Sequence, residues 1–150
     1  YLHDRVIAPL GLRDTAVQTE QAPVSDGFDL SGRAQEPWVL DGDAPAGGVV
    51  STPHELTTVA QRLLAGDAPG QSALDPLAPT DDDEQIGMFW FVRDLPDGSS
   101  IEWHNGATGG YSSYLAVDRT QGRAVIVLAD VTGTATPIGE GLVADWGGDR

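Results

Sequence analysis

Trp103-His104-Asn105-Gly106-Ala107-Thr108-Gly109-Gly110-Tyr111-Ser112-Ser113-Tyr114 is the stretch whose reading decides the fold. It ends an apolar strand in a titratable ring and a side-chain amide. A run of small residues follows, which lets a ligand approach the backbone, and aromatic strand residues then return. On its amino-terminal side, Met88-Phe89-Trp90-Phe91-Val92 reads as a bulky strand, Pro96-Asp97-Gly98 supplies a turn, and Ile101 to His104 returns beside it. On its carboxy-terminal side, Tyr111 to Val117 and Arg123 to Ala129 read as a second antiparallel pair around Gly122. The run Ala124-Val125-Ile126-Val127-Leu128-Ala129 is apolar at every position, so both of its faces should be covered. A sheet covered on both sides needs helices on both sides.

Two segments can supply those helices. Ser51 or Thr52 can cap one that has Pro53 in its first turn, Glu55 placed to return a capping hydrogen bond, and Gly66 as its stop. Its apolar face is Leu56, Val59, Ala60, Leu63 and Leu64. The last element has Thr136 and Pro137 as start signals and Ile138, Leu142 and Trp146 at four-residue spacing; its glycines make it a weak helix by itself. At the other end, Leu2, Val6, Ile7 and Leu10 follow helical spacing until Pro9 and Gly11 stop it. From Arg13 to Gly47 the chain is irregular, with one short strand expected around Trp38-Val39-Leu40. An excursion this long is expected to cover something. Asp67 to Glu84 reads as loop. The fold class that follows is α+β, an antiparallel sheet flanked by helices, in one domain spanning residues 1–150 without internal repeats.

The 150 residues carry a net charge of −15, which argues against nucleic acid as a partner because little here could neutralise a phosphate backbone. Cysteine is absent, which excludes disulfides, thiol chemistry and Cys-based metal sites. His3, His54 and His104 show no zinc spacing, and the acidic run Asp81-Asp82-Asp83-Glu84 lacks the spacing of a calcium loop. Neither a metal nor a cofactor is expected. No apolar run is long enough to span a membrane, and no signal segment is read in the chain. All eight basic residues are arginine and lysine is absent, a pattern that fits either coding bias or adaptation to high salt.

Three blocks then stand in one order. Ala8-Pro9-Leu10-Gly11-Leu12-Arg13-Asp14-Thr15 closes a helix in a Pro-Leu-Gly turn before an Asp-Thr pair. Ala46-Gly47-Gly48-Val49-Val50-Ser51-Thr52-Pro53-His54-Glu55-Leu56 is an Ala-Gly-Gly loop leading into a capped helix. Gly87 to Val92, His104 to Tyr114 and Val125 to Asp130 are closing strands with the motif between them. Together they resemble the serine β-lactamase and penicillin-binding-protein family, in its class C β-lactamase-like branch. The resemblance implies a partial β-lactamase/transpeptidase-like fold and a carboxy-terminal fragment of a larger domain, with a Ser-x-x-Lys nucleophile and a Tyr-x-Asn motif upstream of Tyr1. It implies acyl transfer, in which Ser attacks a lactam, amide or ester and water releases the acyl group. Members include β-lactamases, D-Ala-D-Ala carboxypeptidases, D-aminopeptidases and esterases, and the family is often exported. Without lysine, this chain alone lacks the nucleophile pair and is expected to be inactive.

The resemblance also implies four catalytic positions. His104 stands where the family's third motif has Lys or His; a cation there would stabilise a substrate carboxylate and help a proton leave the attacking hydroxyl. An imidazole does this only when protonated. By itself, His104 reads more readily as an ordinary strand-end residue, and the flanking blocks reverse that order. Asn105 replaces the usual Thr or Ser. Gly106 fits a position where a side chain would block the substrate, or a tight turn. The backbone N–H of Ala107 would be one of two oxyanion-hole donors, the other belonging to the nucleophile; losing one donor typically removes about 2.7–4 kcal/mol of transition-state stabilisation. Thr108 to Tyr111 shape the loop, while Ser112 and Ser113 lack a strand-to-helix elbow and a Lys partner. A free-standing Ser-His-Asp triad is therefore poorly supported. The expected partners are a small-molecule or peptide substrate and, through an unpaired sheet edge, other copies of the chain. The alternative, mildly favoured by Asn105, is a non-catalytic relative that binds peptides or other ligands.

Overall fold

A computed structural model describes residues 1–18, 24–82 and 84–146. A π-wound turn, His3–Ile7, continues into α1 (Ala8–Leu10), and β1 (Ala16–Val17), β2 (Gly27–Phe28), β3 (Ala34–Gln35), α2 (Ala44–Gly47) and β4 (Val49–Val50) follow. Next come α3 (Pro53–Ala65), β5 (Ala78–Pro79), β6 (Gln85–Ile86), β7 (Phe91–Asp94), β8 (Ser100–Thr108), β9 (Tyr111–Asp118), β10 (Arg123–Ala129) and α4 (Ala135–Ala144). Strands β5 to β10 form one antiparallel sheet of six strands in the order β10-β9-β8-β7-β6-β5. Neighbours in the sheet are neighbours in sequence, because Gly98 and Gly122 take the positive φ that the tight turns need.

The two faces of the sheet are covered as the apolar run of β10 requires. On one face Ile101, Tyr114, Ala116 and Val125 pack with Ala135 and Val143 of α4. On the other, Val117 packs with Ala60 and Leu63 of α3 and with Ala68 and Leu74. Thr52 caps α3 by accepting a hydrogen bond from Glu55 N at 3.3 Å, and Gly66 ends it at φ 79°. The antiparallel sheet between helices makes this an α+β fold.

The structure corrects several expectations. The bulky strand begins only at Phe91, because Gly87 to Trp90 form the loop that joins β6 to β7. No strand forms at Trp38-Val39-Leu40; the excursion instead makes the short ladders β2–β3 and β1–β4. The first of these is turned by Asp29, whose Oδ1 accepts from Ser31 N, Ser31 Oγ and Arg33 N. Part of that excursion, residues 19–23, and Asp83 of the acidic run lie outside the described residues. Within Asp67 to Glu84, a 3₁₀ turn at Gln71–Leu74 buries Leu74 to 1% exposure, so the segment is part of the core.

Helix α4 starts at Ala135, and its inward face is Ala135, Gly139 and Val143, leaving Ile138 and Leu142 half-exposed. The reason is Tyr114: its ring fills the space under α4, so only a glycine fits above it at position 139. Trp146 does pack, with the Arg123 guanidinium 4.6 Å from its ring centroid. Glu55 makes no return bond to its cap. Its carboxylate accepts from Arg13 N and Asp14 N and from the Thr15 hydroxyl, pinning the turn after α1 to α3.

Candidate active site

The site is set by where one strand stops. Pairing of β8 with β7 ends at Phe91↔Trp103, whereas pairing with β9 runs on from His104↔Leu115 to Thr108↔Tyr111. Among the described residues, His104–Thr108 therefore has one edge without a strand beside it. Thr108 and Tyr111 close the Gly109–Gly110 turn, and a pair that closes so short a hairpin exchanges its hydrogen bonds across it. Alternation then turns the backbone N–H and C=O of Asn105 and Ala107 toward the open edge.

The four expected residues occupy this edge, and their side chains divide between the two faces. His104 is exposed, and its Nδ1 lies 2.5 Å from the Asn105 carbonyl, with its ring tilted against Phe91 at 6.0 Å between centroids. A carbonyl only accepts, so this contact is a hydrogen bond in the tautomer with the proton on Nδ1, which leaves Nε2 to face a ligand. Asn105 points the other way, donating from Nδ2 to the Thr136 hydroxyl of α4 at 3.2 Å. A Cβ on Gly106 would meet Ser113 Oγ at 2.9 Å, on the sheet surface. Ala107 is exposed.

The long excursion does cover something: it clasps the tip of this motif. A Cβ on Gly109 would come within 2.6 Å of the Glu36 carbonyl and of Trp38 Nε1, and one on Gly110 (φ 81°) within 2.8 Å of Gly27. Thr132 Oγ1 accepts from Gly110 N at 2.9 Å and donates to the Thr108 carbonyl at 3.0 Å. The Tyr111 hydroxyl donates to the Ser25 carbonyl at 2.5 Å. Burial, followed by the nearby carboxylates of Asp26, Asp130 and Glu36, pushes that phenol above its ordinary range. Thr108 to Tyr111 thus shape the loop, as expected from sequence.

Ser112 also has a structural role. Its hydroxyl donates to the Val131 carbonyl at 2.7 Å and accepts from the Thr134 and Ala135 amides at 3.1 and 3.0 Å, satisfying donors at the start of α4.

One group of residues beside the site was not read from sequence. Trp103 Nε1 donates to Glu84 at 3.2 Å, Arg93 sits over the Trp103 ring and pairs with Glu140 at 2.9 Å, and the Tyr114 hydroxyl donates to Glu140 at 3.2 Å. Burial, then the Glu140 charge, holds the Tyr114 phenol neutral far above its usual range. This network stiffens the strand end from which His104 projects. Its one sequence signal is the parity that puts Trp103 and Tyr114 on the same face.

His3 lies against Asp4 at the chain's first turn and His54 on α3; neither joins His104 at this edge. Among the described residues no group of three or more His, Asp or Glu could hold a metal ion. No described helix is long and apolar enough to cross a membrane. What the edge offers is two strand-type backbone positions and one imidazole nitrogen.

Solved structures share this arrangement of elements. An octameric penicillin-binding protein homologue from Pyrococcus abyssi superposes with a TM-score of 0.78 at 18% identity, over 97% of this chain and 36% of its own. A class C beta-lactamase gives 0.79 at 11% identity, over 99% and 51%. The D-amino acid amidase of Ochrobactrum anthropi SV3 gives 0.69 at 24% identity, over 95% and 53%. At these identities the likeness is one of fold, and the chain spans only about a third to a half of each structure's length. A comparison with curated protein sequences finds no significant match. The family model Beta-lactamase matches residues 1–144, and the chain therefore belongs to the beta-lactamase family.

Proposed function

We propose that this chain forms the third-motif wall of a β-lactamase-like serine hydrolase, a β-lactamase, D-Ala-D-Ala carboxypeptidase or esterase. It would be the carboxy-terminal part of one catalytic domain whose Ser-x-x-Lys nucleophile lies upstream. The observation that carries this reading is the open edge of β8, where His104 and the backbone of Asn105 and Ala107 meet beside no other described strand. An extended substrate pairs with that edge. The Ala107 N–H points at the acyl oxygen as negative charge develops there. The His104 imidazole, with Nδ1 committed to the Asn105 carbonyl, uses Nε2 to bind a carboxylate or to pass the nucleophile's proton to the leaving group. With the second oxyanion donor and the nucleophile both supplied from elsewhere, the chain by itself hydrolyses nothing.

Among the described residues β10, an apolar strand, has no strand on its outer side, and that edge belongs to the same reading as a route to self-association. The second reading, a ligand-binding relative without catalysis, draws on Asn105: its amide is spent on Thr136 and not on the cleft.

Reading the coding DNA upstream of Tyr1 separates the two. An in-frame Ser-x-x-Lys followed by Tyr-x-Asn is the expected result. A reading frame without them rules out the hydrolase and leaves the binding protein.

A further inference from the structure

We infer that Met88 and Phe89 form the specificity wall of this site and select acyl donors that carry an aromatic or other large apolar side chain. The inference rests on the reading of the β8 edge given above. The pairs Gln85↔Val92 and Ile86↔Phe91 leave Gly87 to Trp90 as the tip of the β6–β7 hairpin. That tip is tied down: Gly87 N donates to the Trp90 carbonyl at 2.8 Å, and Met88 N donates to the Ala73 carbonyl at 2.8 Å. Gly87 is pressed so closely on the Ala73 and Asp75 carbonyls that a Cβ there would come within 2.4 and 2.7 Å of them.

A tip this well anchored could have turned its apolar side chains inward, yet Met88 is 61% and Phe89 83% exposed. Phe89 also holds φ at 66°, a region that bulky side chains avoid and that glycine or asparagine would occupy freely. Two large apolar groups, one on a strained backbone, are thus presented rigidly to the outside. Residues held this way tend to sit at ligand-contacting sites.

The register says what they face. Phe91 lies opposite Trp103, so the chain before Phe91 passes the last paired position of β8 and reaches the column left open beside His104–Thr108. Contact between the Phe91 and His104 rings, 6.0 Å apart, marks the same corner. An acyl chain pairing with Asn105 and Ala107 runs in that column, about 4.8 Å from β8, and its end meets the tip. Its side chain then covers Met88 and Phe89. Two side chains are far less than the roughly 800 Å² per partner of a protein interface, which makes a small substrate group the fitting occupant.

The test is a nuclear magnetic resonance titration of the gene product that carries this chain with racemic N-acetyl-phenylalanine amide and racemic N-acetyl-alanine amide. The expected result is movement of the Asn105–Thr108 amides with both probes, movement of Met88 and Phe89 with the phenylalanine probe, and about tenfold tighter binding of that probe. Phe89→Gly, which accepts the same φ, and Met88→Ala should each reduce the preference. Equal affinity for the two probes with normal movement at Asn105–Thr108 overturns the specificity wall and leaves the site reading standing. No movement at Asn105–Thr108 with either probe overturns both.

Discussion

Replacing Gly139 by alanine tests the packing that holds α4, and with it Thr136, the partner of Asn105, against the sheet. The new Cβ would lie 2.2 Å from Tyr114 Cδ1, 2.4 Å from Cγ and 2.8 Å from Cε1, where ordinary contact begins near 3.4 Å. Tyr114 cannot step aside. It is 1% exposed, stacked on Trp103 at 5.7 Å between centroids, and hydrogen-bonded to Glu140. The helix must therefore move outward by roughly an ångström, loosening Ala135 and Val143 along with it. Overpacking of this kind costs about 1–3 kcal/mol, and alanine in place of glycine in a helix returns about 1 kcal/mol. A net loss of up to about 2 kcal/mol is expected for Gly139→Ala by urea unfolding, with the slope unchanged. Gly141 is the control, since a Cβ there meets nothing within 4 Å; Gly141→Ala should stabilise by up to about 1 kcal/mol. The displaced helix also carries Thr136 away from Asn105, so the Asn105 side-chain amide resonances should move in the first variant and not in the second. A Gly139→Ala protein as stable as Gly141→Ala would refute the reasoning.

Three further outcomes follow from other contacts. Ser112→Ala strands the Thr134 and Ala135 amides and should cost about 1–3 kcal/mol, with faster hydrogen exchange at those two amides; unchanged exchange would deny the cap. The Ser99 hydroxyl and amide, then Arg123, hold the Asp97 carboxyl down at about 2. Its contribution is present above the unfolded value of 3.8 and is lost as pH falls through about 2, so Asp97→Asn should flatten the acid limb of urea stability only in that window. Parallel acid limbs for the two proteins would be inconsistent with that pairing. Gly106→Ala meets only the Ser113 hydroxyl, which can rotate away, so the variant should fold within about 1 kcal/mol of the parent. A larger loss would show that Gly106 is needed for packing.

Local chemistry explains which parts of this fold could be read from the chain. The strands β8, β9 and β10 announce themselves by β-forming runs broken at glycine turns, and α3 by its Thr52 cap and Gly66 stop. The inward face of α4 could not be read, because Gly139 faces inward only once Tyr114, 25 residues earlier, is known to lie beneath it. Glu55 had the spacing of a capping box, but its partners Arg13, Asp14 and Thr15 are about 40 residues away and compete successfully for the carboxylate. Met88 to Trp90 have the composition of a strand, and their loop conformation is imposed by Ala73 and Asp75. The candidate site divides in the same way. His104 to Ala107 stand out as residues, whereas the open edge that gives them a use depends on where β7 stops. The fixing of Asn105 by Thr136 and the Trp103–Glu84–Arg93–Glu140–Tyr114 network are tertiary facts, of which strand parity signals no more than the shared face of Trp103 and Tyr114.

The most direct measurement is the acylation of the gene product that carries this chain, followed by intact mass with benzylpenicillin and with p-nitrophenyl acetate. It would be run for the parent protein and for His104→Ala. The account predicts a covalent adduct on a serine upstream of Tyr1 with at least one of the two, formed roughly 10²-fold more slowly in the variant. No adduct with either compound, or an adduct formed equally fast without His104, would contradict it.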